Sequence, residues 1–236
     1  MKTKPKFDLK KSISPNNSVY LSKLLDPYTA HIAKFVYNIG LSADLVTLLN
    51  FILGMSAVAI IVFVGTYPAL VIAAILITLR NIGDTIDGKI TRGSGIKSTY
   101  GGFSDAVSDW IFFHPAFFIA VGFLTNHIVI GFLCVTGYMS REFTRRIFDK
   151  KYGSKATETK ESRKISGLVS IVTKYDIANV FWLAPIFLII NQPALIIYAV
   201  AIIEYTLLLG EIGFDYVCFF KKQKALEKAN TKQNIK

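Results

Sequence analysis

The chain has 236 residues and a mass of 26.3 kDa, and 52% of it belongs to the apolar and aromatic set AVILMFWYC. With a mean hydropathy of +0.44 it is too apolar for a water-soluble domain of this size, which excludes a disordered chain, a collagen-like repeat and a disulfide-stapled module. The net charge of +11 invites either nucleic acid or an anionic membrane surface, and the hydropathy selects the membrane: no nucleic-acid partner is expected.

The N-terminal residues 1–42 are basic but hold no apolar core within the first thirty, so no cleavable signal peptide is expected. Residues 19–40 (VYLSKLLDPYTAHIAKFVYNIG) are predicted to form an interfacial helix lying on the membrane face. Residues 45–79 then contain no Asp, Glu, Lys or Arg, and the turn Gly65-Thr66-Tyr67-Pro68 divides them. Residues 110–140 are again free of these charges, with a polar break at Thr125-Asn126-His127, and residues 177–203 are broken at Asn191-Gln192-Pro193. A crossing takes about 20 residues, so each stretch holds two. Six transmembrane helices are predicted near 43–64, 68–89, 104–124, 128–148, 172–190 and 194–217, a single all-α membrane domain with a basic tail at 218–236. That tail is expected to be frayed and attracted to lipid.

Basic residues set the orientation. Six lysines precede residue 24, three basic residues lie in 89–97, nine in 141–164 and six in 221–236, whereas the three short turns carry none. With six helices the basic segments share one side, predicted to be cytoplasmic, as are both termini. Cys134 and Cys218 lie inside apolar runs and read as packing residues.

One segment departs from this pattern: RNIGDTIDGKITRGSGIKSTYGGFSDAVSD, residues 80–109. Asp84 and Asp87 are three apart near the end of the second helix, and Asp105 and Asp109 four apart at the start of the third, so each pair shares a helix face. The short connection folds the two helices antiparallel and can bring all four carboxylates together. A carboxylate at membrane depth costs at least a few kcal/mol, and four would repel one another. Divalent cations relieve both problems, and an all-oxygen ligand set suits Mg²⁺, Mn²⁺ or Ca²⁺. Gly88 lets a ligand approach the backbone, Gly93, Gly95, Gly101 and Gly102 loosen the connection, and Lys89, Arg92 and Lys97 add positive charge, a combination suited to a diphosphate.

At these residues the chain resembles the CDP-alcohol phosphotransferase family, whose signature is D-x-x-D-G-x-x-A-R, eight residues, then G-x-x-x-D-x-x-x-D. Asp84, Asp87, Gly88, Arg92, Gly101, Asp105 and Asp109 match with every spacing kept, and Thr91 stands where the family usually has Ala. The resemblance implies displacement of CMP from a CDP-linked donor by the hydroxyl of a second alcohol. It further implies that Asp84, Asp87, Asp105 and Asp109 hold two divalent ions, Mg²⁺ or Mn²⁺. Gly88, Arg92 and Gly101 would line the CDP site, Asp109 would act as general base, and the protein would work as a homodimer. The donor is expected to be a CDP-linked lipid, CDP-diacylglycerol or CDP-archaeol. The acceptor is expected to be a small polyol phosphate, glycerol 3-phosphate or an inositol phosphate. Arg141 and Arg145, four apart at the mouth of the fourth helix, are its candidate phosphate ligands.

The alternatives are a CDP-choline or CDP-ethanolamine type transfer to a lipid alcohol, a membrane prenyltransferase (Asn81, Asp84 and Asp87 give a passing N-x-x-D-x-x-D) and a cation transporter. Glu204 and Glu211, seven apart on one stripe of the last helix, are expected to serve helix or dimer packing, Glu204 pairing with Arg80 or a backbone dipole. His114 and His127 lack partners at ligand spacing, and Trp110 and Trp182 sit near predicted interfaces.

Overall fold

The structure is a computed structural model and describes residues 5–14, 20–96, 98, 100–152 and 177–233. Its regular elements are all helical. They are α1 (Leu9–Ser12), α2 (Tyr20–Asn38), α3 (Ala43–Phe63), α4 (Tyr67–Ser94), α5 (Gly101–Ala106), α6 (His114–Leu124), α7 (Ile128–Tyr152), α8 (Ala178–Ile189) and α9 (Ala194–Gln233). A π-helical stretch, Val107–Phe113, joins α5 to α6 without a break.

Helix starts and stops have local causes. Ser42 caps α3, its Oγ accepting from the Leu45 N–H at 3.2 Å. Pro68 sits in the first turn of α4, where its missing N–H is no loss, and α4 ends at Gly95 in a left-handed conformation. The turns after α3, α6 and α8 each contain one left-handed residue: Gly65, Asn126 and Asn191, with φ of 60°, 59° and 58°. Asparagine is the side-chain-bearing residue that tolerates this best, because its short amide can bond locally. These turns coincide with the polar breaks in the sequence.

Among the described residues, four helical segments are long and apolar enough to cross a membrane: Ala43–Phe63, Tyr67–Ser94, Gly101–Leu124 and Ala194–Gly213. The other two expected crossings differ for identifiable reasons. In α7 the uncharged stretch ends at Ser140, and Arg141, Glu142 and Arg145 follow within two turns. α8 is 12 residues long, and the expected start of that helix at 172 lies outside the described residues. The expected ends also move. α4 runs beyond 89 to Ser94, and α9 continues beyond 217 as helix to Gln233, so the basic tail expected to be frayed is largely helical.

α4 is the hub, packed by α1, α2, α3 and α8. Its small residues Ala73 and Ala74 share one buried apolar cluster with Ala57 and Ile61 of α3, while Phe113, Phe117 and Phe118 pack on Phe181 of α8. α6 and α7 touch through glycine: a Cβ on Gly131 would lie 2.6 Å from the Phe118 carbonyl oxygen.

A polar contact crosses the core between α4 and α8. Pro185, inside α8, has no N–H for the carbonyl of Phe181 one turn back. Asn81 of α4 supplies the missing donor, its Nδ2 reaching that carbonyl at 2.7 Å, while its Oδ1 accepts from Arg80 Nη1 at 3.2 Å. In a medium without water such a carbonyl needs a protein donor. Asn81→Ala is therefore expected to lower stability by about 1–3 kcal/mol, read as a lower melting temperature in detergent. Pro185→Ala in the Asn81→Ala background, by restoring the N–H, should recover part of the loss.

Candidate active site

The acidic segment ends up where one end of α4 meets the start of α5. The i, i+3 and i, i+4 spacings put Asp84 and Asp87 on one side of α4, and Asp105 and Asp109 on the facing side of the next helix. Carboxylate oxygens of Asp84, Asp105 and Asp109, all half-buried, lie within 4.8 Å of one another and can hold a metal ion. Asp87 lies within electrostatic reach of Asp84 and Asp105 but is turned partly towards α3: its Oδ2 accepts from Thr47 Oγ1 at 2.8 Å and from Asn50 Nδ2 at 3.4 Å. Asn50 is held tightly there, because its amide oxygen sits where a Cβ on Gly83 would be.

Asp109 falls within the π-helical stretch, and the His114 N–H bonds back to the Asp109 carbonyl five residues earlier. A π turn inserts one extra residue and so re-aims everything that follows, a device often found at functional sites. The sequence carried no signal for it beyond the position of Asp109.

Arg80 was not expected at the site. It is buried, its Nη2 lies 3.8 Å from Asp84 Oδ1, and the same nitrogen forms an ion pair with Asp109. Its guanidinium carbon stands 4.6 Å from the centre of the Phe113 ring. The residue one turn before Asp84 in a helix is the natural partner for it, and that spacing was the available signal. Glu204, expected to pair with Arg80 or a backbone dipole, pairs with Arg141 instead. Arg141 Nη1 is 3.1 Å from Glu204 Oε2 and its Nε is 3.0 Å from Glu211 Oε1. Arg80 is already held by aspartates, and the packing of α7 on α9 sets Arg141 between the two glutamates.

Among the candidate nucleotide residues, Arg92 lies over Gly88: a Cβ there would be 3.1 Å from Arg92 Nη1. Gly101 faces Asp44 and Ser98, a Cβ meeting Asp44 Oδ1 at 3.0 Å, and Ser98 Oγ accepts from the Gly101 N–H at 3.0 Å. Lys89, expected to add charge to this site, is buried at 1% exposure with its Nζ 2.6 Å from Asp26 Oδ1 of α2. Its charge serves helix packing instead. Lys97 lies outside the described residues, as does the side chain of Arg145. Asn81, part of the passing N-x-x-D-x-x-D, is occupied with Phe181 and Arg80. His114 is buried and stacked on Phe181 at 4.3 Å.

A bundle of long apolar helices, with a cluster of carboxylates at one end that could hold a metal ion and an arginine over a glycine on the same helix, describes a membrane protein with a polar site at one end of its bundle. Comparison with known families makes this specific. Residues 41–210 match the CDP-alcohol phosphatidyltransferase family, and the chain belongs to that family. It is thus a phospholipid-synthesis transferase of a divalent-metal-dependent class that moves a phosphatidyl group from a CDP-alcohol. Membership sets aside the prenyltransferase and transporter alternatives. A search of curated protein sequences returned no match.

Asp105→Asn is expected to weaken Mn²⁺ binding to the purified protein at least tenfold. Thr47→Val, which removes only the hydroxyl on Asp87, should weaken it about tenfold, the usual penalty for losing a partner of a metal ligand, the role expected of Asp87. Isothermal titration with Mn²⁺ checks both.

Proposed function

We propose that the protein transfers a phosphatidyl-type group from CDP-diacylglycerol or CDP-archaeol to the hydroxyl of a small phosphorylated polyol, glycerol 3-phosphate or an inositol phosphate. CMP is released. The observation that carries this reading is the meeting of Asp84, Asp105 and Asp109 within 4.8 Å at the bundle end where Arg92 overlies Gly88. Asp84 and Asp109 pair with one buried guanidinium, that of Arg80, while Asp105 and Asp87 stand beside them, so acid outnumbers base among these residues and further cations are needed for balance. Two Mg²⁺ or Mn²⁺ ions held by these four aspartates would supply that balance and neutralise the diphosphate and the departing CMP.

The chain's own residues do the rest. Gly88 and Gly101 leave room for the nucleotide, and Arg92 donates to its phosphate oxygens. Asp109 takes the proton of the acceptor hydroxyl as that oxygen bonds to the lipid-bearing phosphorus and the bond to CMP breaks. Asp109 suits this role because the π turn sets it between Arg80 and the other carboxylates.

For the membrane placement we infer six crossings, with α7 and α8 in the fourth and fifth, both termini and the active site cytoplasmic, and a homodimeric assembly. α2 supports an interfacial position. Leu24, Tyr28, Ile32, Phe35 and Ile39 form an exposed apolar stripe at helical spacing, while Asp26 and Thr29 on the other side are buried. Arg141 and Arg145 are assigned to the acceptor phosphate, which at Arg141 competes with Glu204 and Glu211.

The decisive assay is CMP release from CDP-diacylglycerol in detergent with Mg²⁺, run against glycerol 3-phosphate, inositol phosphate, inositol and serine. Turnover is expected with a phosphorylated polyol only and should vanish with EDTA. Turnover of CDP-choline with diacylglycerol in its place would overturn the donor assignment. Asp109→Asn should lower kcat by about 10²–10⁴-fold. Arg145→Ala should raise the acceptor KM about tenfold without moving the donor KM.

A further inference from the structure

The residues ahead of α2 make contacts that a disposable N-terminal leader would not. Phe7 is 7% exposed, its ring 5.6 Å from that of Tyr37 and packed so closely on Gly93 that a Cβ there would collide with it. The Tyr37 hydroxyl donates to the Pro5 carbonyl at 2.9 Å. Asp8 caps α1, its Oδ1 accepting from the Lys10 and Lys11 N–H groups, and its own N–H donates to the Gly93 carbonyl at 2.8 Å. That carbonyl lies in the last turn of α4, where no intrahelical donor exists. Ser12 is fully buried, and its carbonyl accepts from Arg92 Nε at 2.9 Å.

From these contacts we infer that residues 5–14 are a positioning strap for Arg92, fixing its guanidinium over Gly88 in the orientation that receives the donor's phosphates. The inference rests on the assignment of Arg92 to the donor site made above. A guanidinium has a fixed planar fork, so holding Nε fixes the direction of both terminal nitrogens. The Ser12 carbonyl takes Nε, and Nη1 and Nη2 then lie 3.1 and 3.5 Å from where a Cβ on Gly88 would be. Among the described residues no carboxylate stands within ion-pair distance of Arg92, and its side chain is exposed, so the fork is held by a neutral partner and keeps its charge for a ligand. An arginine that is already oriented loses less rotational freedom when the diphosphate arrives. Phe7 holds the strap in place, and the Lys89–Asp26 pair fixes α2 beneath it at 2.6 Å.

The test uses the full chain in detergent and reads donor affinity in two ways, as the KM for CDP-diacylglycerol and as CDP binding by equilibrium dialysis with Mn²⁺. Phe7→Ala is expected to raise both constants about five- to tenfold, with kcat and acceptor KM within twofold. In an Arg92→Ala background the same substitution should have no further effect on donor affinity. Gly93→Ala, whose methyl displaces the Phe7 ring while keeping both the Phe7 and Arg92 side chains, should reproduce the loss and serves if Phe7→Ala does not fold. Unchanged donor affinity in whichever variant folds, or effects that simply add to those of Arg92→Ala, would overturn the strap. Arg92→Ala that itself leaves CDP binding unchanged would instead sink the donor-site assignment, so the two failures are distinguishable.

Discussion

Four carboxylates gathered at the end of an apolar bundle repel one another and have lost most of their hydration, so the local fold depends on what positive charge reaches them. Arg80 is the part of that answer built into the chain. It lies one helical turn before Asp84, is nearly devoid of solvent contact, and bridges to Asp109 on the neighbouring helix. A buried guanidinium stripped of water is itself costly; its position against two aspartates, with Nη1 on Asn81 and a face on Phe113, offsets that. The remaining negative charge is what fits the site to the metal-dependent chemistry of its family.

The same rule governs the other polar groups inside the bundle. Lys89 is matched by Asp26, and Arg141 by Glu204 and Glu211; the carbonyl freed by Pro185 is matched by Asn81. Each contact joins two different helices, so it specifies which helices meet and at what rotation, where apolar packing alone would tolerate sliding. Asn81 joins two of these systems, holding α8 with its amide nitrogen and Arg80 with its amide oxygen. The packing of α8 and the electrostatics of the aspartate cage are therefore mechanically linked.

Around the cage, the N-terminal residues complete what the motif begins. Asp87 is steadied from α3 by Thr47 and Asn50, Gly101 by the Ser98 cap, and the end of α4 by Asp8 and Phe7. The motif segment is thus tied through α4 to α1, α2 and α3.

Much of this was legible in the residues. The medium followed from hydropathy, the turns from Gly65, Asn126 and Asn191, and the aspartate faces from spacings of three and four. All of these are local properties, set by the 3.6-residue period of a helix and by what one side chain permits its own backbone. Which cation meets which acid was not legible: Glu204 went to Arg141 and Lys89 left the loop for Asp26, while the N-terminal segment reached Arg92. Those choices depend on the relative height and rotation of helices far apart in sequence. Close packing between helices fixes these quantities, so only the tertiary structure could decide them.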